Sequence, residues 1–158
     1  MTKELKQEYT LKITQANKTQ LVVILYEMLL TYLEEAVSAH EKNDRAGFRD
    51  GIRKARGCLK ELMTSLNFEY ELAGNLWQLY LYANKELAMA DVRNSTEELS
   101  HVEMIMTKLH EAYKEISGQD TSGPVMANTQ TVYAGLTYGR NSLTENLDGQ
   151  GGDRGFRV

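Results

Sequence analysis

Apolar residues recur at intervals of three and four along most of the chain, the period of an α-helix that turns one face inward. In a first segment Leu21, Ile24, Leu25, Met28, Leu29, Tyr32, Leu33 and Ala36 keep this spacing until Asn43-Asp44 breaks it, which predicts a helix near 17–41. A second segment carries Phe48, Ile52, Ala55, Leu59, Leu62, Met63 and Leu66, with Asp44 as its N-cap and Ser65-Leu66-Asn67 as its exit. Glycines at 47, 51 and 57 lower its intrinsic helicity by up to about 1 kcal/mol each relative to Ala, so packing must hold it. A third helix is expected from about Tyr70 to Asp91 on the stripe Leu72, Leu76, Leu79, Tyr80, Ala83, Leu87 and Ala90. A fourth opens at Ser95-Thr96-Glu97-Glu98, the Ser-x-x-Glu pattern of a capping box, and runs through Leu99, Val102, Ile105, Met106, Leu109, Ala112 and Tyr113 to Ser117. Short connections between such helices favour antiparallel neighbours. The predicted fold is all-α, an antiparallel up-down four-helix bundle over residues 17–117.

Composition divides the 158 residues further. Eight of the 12 glycines and the single proline, Pro124, lie beyond residue 117, so a Gly-poor body precedes a Gly-rich tail over 118–158. Within that tail Val132, Tyr133, Leu136, Tyr138, Leu143 and Leu147 make a stretch near 125–147 apolar enough to dock on something, its expected site being the chain's own groove or that of a neighbouring copy. The net charge of −4 gives no footprint for nucleic acid. No apolar run is long enough to span a bilayer and no secretory leader opens the sequence, which points to a cytoplasmic protein with no direct membrane insertion.

Little in the chain suggests chemistry. One cysteine, Cys58, excludes an internal disulfide, and with three scattered histidines it leaves no zinc cluster. Glu98-x-x-His101 has the spacing of a di-iron half-site, but no second Glu-x-x-His and no supporting carboxylates accompany it, so no metal is expected. Cys58 has no histidine at a readable spacing and no Gly-rich loop follows a strand. The expectation is a protein with no catalytic residues and no cofactor.

The informative anomaly is surplus apolar width. From Leu72 through Asn84 there is no charged side chain, and a second stripe of Tyr70, Ala73, Trp77, Leu81 and Ala88 lies opposite the first. Between Thr19 and Leu33, Glu27 is the single charge. A helix on the surface of a bundle needs one apolar stripe. A wider one is buried by the rest of the chain, by a partner helix in a groove, or by a second copy.

These residues also carry a family likeness. Ala16 and Gln20-Leu21-Val22-Val23-Ile24-Leu25-Tyr26-Glu27, then Lys54-Ala55, Glu61-Leu62, Ser65-Leu66-Asn67, Leu79-Tyr80-Leu81-Tyr82, Leu87, Ala90, Asn94, Val102-Glu103 and Ala112-Tyr113 resemble, in order and spacing, the FliS family of flagellar secretion chaperones. Lys18 stands where that family usually has Pro, and Tyr113 where it has Trp. The resemblance implies a chaperone that holds the C-terminal region of flagellin against early polymerisation and helps deliver it to a component of the flagellar export gate. It also implies that residues 1–16 form a cap through Tyr9, Leu11 and Ile13. The client would dock on the second and third predicted helices at Ile52, Leu59, Met63, Leu66, Trp77, Leu81 and Tyr82, with Tyr26 flanking. The chaperone reading expects a monomer or weak dimer. Its alternative is a self-associating helical structural protein with no secretion client.

Overall fold

A computed structural model describes residues 1–126. Five helices follow in order: α1 (Lys3–Gln15), α2 (Lys18–Glu41), α3 (Arg45–Thr64), α4 (Glu71–Arg93) and α5 (Glu97–Ser117). Among the described residues there is no strand. Helices α2 to α5 form the bundle, and each packs on two neighbours in the ring α2–α3–α4–α5. Contacts between helix ends fix the directions. His40, near the end of α2, bonds to Asn94, which caps α4, while Thr19, near the start of α2, bonds to Asp120, just past α5. Arg45 at the start of α3 reaches Asp91 near the end of α4. The bundle is therefore up-down-up-down.

Its core is built by the apolar periodicity. Leu29, Leu33, Ala36, Phe48, Ile52, Ala55, Leu59, Leu62, Leu76, Tyr80, Ala83, Leu87, Leu99, Val102 and Met106 are buried in one cluster. Close approach of α2 and α3 depends on Gly51, where a Cβ would lie 2.9 Å from the Cβ of Ala36. That contact gives the helix-destabilising glycine a purpose. At the centre the hydroxyls of Tyr26 and Tyr80 are 2.5 Å apart, and the ring of Tyr26 lies 5.6 Å from that of Tyr113.

The N-terminal segment differs from expectation. The periodicity places the first helix at 17, yet residues 3–15 are already helical and fold back along α2. Met1, Leu5, Tyr9 and Ile13 recur every four residues and pack with Ala16, Leu21, Ile24 and Met28. The stripe is one residue wide and flanked by charges, so it is easily missed. The hinge between the two helices is capped at Asn17, whose side chain accepts from the Gln20 amide while Gln20 accepts from the Asn17 amide, both at 2.9 Å. Lys18 is consequently the first residue of α2, a position where proline is also well tolerated.

The reciprocal box expected at Ser95 and Glu98 does not form. Ser95 accepts instead from the Glu97 amide, and buried Glu98 is bonded by Arg93 at 3.0 Å. Hydrogen bonding from its own backbone amide, then from Ser95 and Arg93, holds the Glu98 carboxyl below the usual carboxylate range.

Candidate functional site

The expected site residues fall into distinct environments. Tyr26, Ile52 and Leu59 are core residues with almost no exposed surface. They pack within the bundle rather than on its surface, because the inward stripes of α2 and α3 include them. Met63, Leu66 and Trp77 are half-buried at the edge of the bundle, and Leu81 and Tyr82 are exposed. Of the expected cap residues, Tyr9 is buried and Ile13 half-buried against α2, whereas Leu11 is 48% exposed and faces away. One face of an isolated helix can touch a neighbour, so the three cannot all turn inward.

On α4 the buried stripe is Ala73, Leu76, Tyr80, Ala83, Leu87 and Ala90. Leu72 and Leu79, expected in the core, are exposed because they stand one row to the side. Two further rows flank the buried one. Trp77, Leu81, Asn84, Ala88 and Asp91 share the side toward α3, since Asn84 bonds Arg56 and Asp91 bonds Arg49. Leu72, Leu79, Tyr82 and Glu86 share the side toward α5, since Glu86 bonds His101 at 2.8 Å. Trp77 and Tyr82 therefore stand on opposite flanks of α4 and would touch different parts of any partner.

Exposed apolar side chains concentrate where α3 gives way to α4. Phe68 is 61% exposed, Tyr70 68% and Leu72 55%. Phe68 packs edge-on against Trp77 with ring centroids 5.8 Å apart. Beside them an open basin of about 480 Å³ lies at the end of the bundle, walled by Val22 of α2, Leu66 of the α3–α4 connection, Leu72 and Leu76 of α4, and Tyr113 and Ile116 of α5, with Tyr80 on its floor. Phe68, Tyr70, Leu72, Val22 and Ile116 were not assigned to a site from sequence. The readable signal was Phe68-Glu69-Tyr70, an aromatic pair in a connection where polar turn residues are the rule.

The floor is neutral. Burial pushes the Tyr80 hydroxyl up to about 12 and the Tyr26 hydroxyl higher, and burial also raises Tyr113. Cys58 is buried and its thiol is pushed up to about 12, again by burial, which keeps it in the protonated, less reactive form at neutral pH. No group of His, Cys, Asp and Glu among the described residues is arranged to hold a metal ion, and no described helix is long and apolar enough to cross a membrane.

After α5 the chain returns to the α1–α2 hinge. The Asn17 side-chain amide donates to the carbonyls of Asp120 and Ser122, the Thr19 hydroxyl donates to Asp120 at 2.6 Å, and the Val125 amide donates to the Ala16 carbonyl at 2.9 Å. Hydrogen bonds from Ser122 and Thr19 keep the Asp120 carboxyl below its ordinary range. The expected docking segment near 125–147 lies almost wholly outside the described residues.

The sequence profile of the family described as flagellar protein FliS matches residues 1–120, from the first turn of α1 to the end of α5. The chain belongs to the FliS family. It is similar to the flagellar secretion chaperone FliS of Bacillus subtilis (strain 168), with 28% identity over 103 residues covering 65% of this chain and 77% of that protein. Similarity to the flagellar secretion chaperone FliS of Escherichia coli (strain K12) is 31% over 106 residues, covering 65% and 78%. For the flagellar secretion chaperone FliS of Salmonella typhimurium it is 29% over 108 residues, covering 66% and 80%. This FliS-family chain is thus a flagellar export chaperone by descent.

Proposed function

We propose that the chain binds the C-terminal region of flagellin in the cytoplasm, as a one-to-one complex, and presents it to the flagellar export gate. The observation that carries this reading is the run of exposed apolar side chains from Phe68 to Tyr82, continuous with the basin between Leu66, Leu72 and Ile116. An unfolded client segment that orders on binding needs apolar surface enough to offset its lost conformational freedom. Trp77 and Leu81 serve the flank of α4 toward α3, and Leu72 and Tyr82 the flank toward α5, so the client straddles α4. Met63 of α3 and Leu66 of the α3–α4 connection extend the first flank. Tyr9 and Ile13 hold the N-terminal helix on α2, which keeps that part of the surface covered when no client is present.

The test is calorimetric titration with a flagellin C-terminal peptide. Trp77→Ala with Leu81→Ala, and separately Leu72→Ala, should each weaken binding about tenfold or more while circular dichroism stays unchanged. Affinity retained in all of these variants would refute the placement. Sedimentation tests the alternative: a stable oligomer without client would favour the self-associating structural protein.

A further inference from the structure

We infer that α3 presents a second docking surface, bordering the apolar one, whose occupant is an acidic amphipathic helix of a partner protein. The charge distribution comes first. The whole chain carries a net charge of −4, yet α3 holds six basic side chains against two acidic ones. Asp50 serves both Arg53 and Lys54, and Asp91 serves both Arg45 and Arg49. Arg56 has the uncharged Asn84 as its partner, and Lys60 makes no ion pair among the described residues. The face is left with unneutralised charge.

Its shape suits a helix. Arg49, Arg53, Arg56 and Lys60 stand at i, i+4, i+7 and i+11, one row about 16 Å long. They border an open groove of about 800 Å³ between α3 and α4, where half-buried Met63 is the large apolar side chain within a partner's reach. Carboxylates on an antiparallel helix at the same spacing would meet each cation in turn, and arginine forks bind carboxylates at two points.

Gly57 supplies an independent argument. It lies in the middle of α3, on the exposed side and in the wall of this groove, where a Cβ would meet nothing within 4 Å. Gly51 is needed for the packing of α3 on α2, but nothing among the described residues requires Gly57. A glycine that weakens its helix without easing an internal contact fits a surface that another backbone approaches closely. A nucleic acid is the poorer occupant, because Asp50 and Asp91 stand inside the groove and would oppose a continuous phosphate chain.

The inference does not rest on the flagellin reading: the basic row lies beside the exposed apolar run, and Met63 at their border is the residue the two surfaces share. The experiment uses the full chain and a fluorescent helical peptide with glutamates at i, i+4, i+7 and i+11 and leucines between them, beside twins carrying Gln or Lys at those positions. Anisotropy at low salt should give the Glu peptide about tenfold tighter binding than its Gln twin, and the gap should close at high salt. Arg53→Glu with Lys60→Glu, both on exposed residues, should reverse the order so that the Lys twin binds best. Gly57→Leu should abolish binding of the Glu peptide with helicity unchanged. Equal affinity for the Glu and Gln twins overturns the proposal. So does a single-stranded oligonucleotide that binds as tightly as the Glu peptide and ignores Gly57→Leu, since that pattern marks a plain polyanion patch.

Discussion

The tyrosine pair at the centre of the bundle offers a sharp test of how this fold is held. Tyr26 and Tyr80 are buried and their hydroxyls bond only within the core, at 2.5 Å. Removing one oxygen by Tyr26→Phe takes from the buried Tyr80 hydroxyl the partner it has in this structure, at a cost of about 1–3 kcal/mol, and Tyr80→Phe does the same to Tyr26. Removing both leaves two apolar rings of nearly the same shape, so Tyr26→Phe with Tyr80→Phe should cost about 1 kcal/mol or less, well below the sum of the single changes. Urea unfolding of the three variants gives the coupling directly, provided the slope of stability against urea stays constant. Alkaline pH supplies a second reading. Burial raises Tyr80 from the ordinary 10.0 to about 12, so between those values the unfolded chain loses the proton and the folded one keeps it. Stability must then fall as pH rises above 10.0, by roughly 1.4 kcal/mol per unit for each such tyrosine, and the double Phe variant should fall less. Additive costs in the double variant, or single changes each under about 0.5 kcal/mol, would refute the reasoning.

Three further outcomes follow from local geometry. Gly57→Ala should raise stability by about 1 kcal/mol, because its Cβ meets nothing, whereas Gly51→Ala should lower it, because the Cβ would press on Ala36; thermal unfolding of both distinguishes the two glycines. Asn17→Ala removes the α2 cap and the bonds to Asp120 and Ser122, and should cost about 1–2 kcal/mol while speeding proteolysis near residue 17. His101 bonds the Glu86 carboxylate, which raises its pKa above the ordinary 6.5, so the stabilisation is complete below 6.5 and fades as pH rises through the raised value. Proton NMR titration should find the His101 midpoint displaced upward in the wild type and returned toward 6.5 in Glu86→Gln.

The bundle was legible because its helices obey one rule, an apolar stripe at the helical period bounded by a capping residue. Asp44 caps α3 where spacing anticipates a start, while α4 runs past the expected Asp91 to Arg93 and is capped by Asn94. The rule fails where the stripe is narrow or doubled. For α1 the single row Met1, Leu5, Tyr9, Ile13 is too thin to rise above its charged neighbours. On α4 three adjacent rows are apolar, and periodicity cannot say which one turns inward, so Leu72 and Leu79 were expected inside and Ala73 outside, the reverse of what packing selects. The choice is made by tertiary partners: the middle row faces the core because Asn84 and Asp91 are fastened to α3 on one flank and Glu86 to α5 on the other.

That arrangement bears on the site. A sequence alone counts Trp77, Leu81 and Tyr82 as one surface, whereas the fold divides them between two flanks of one helix. A partner that gained energy from only one flank would leave the other apolar row in water, and exposed apolar rows of this size are uncommon in a stable monomer. The doubled surface therefore argues for a client long enough to cross α4, with one part reaching Trp77 and Leu81 and another reaching Leu72 and Tyr82. A short single helix in one groove would satisfy half of it. Peptides ending before and after the crossing separate the two cases: a truncated client should lose sensitivity to Leu72→Ala while keeping it for Trp77→Ala with Leu81→Ala, and a client confined to one flank would show no such split.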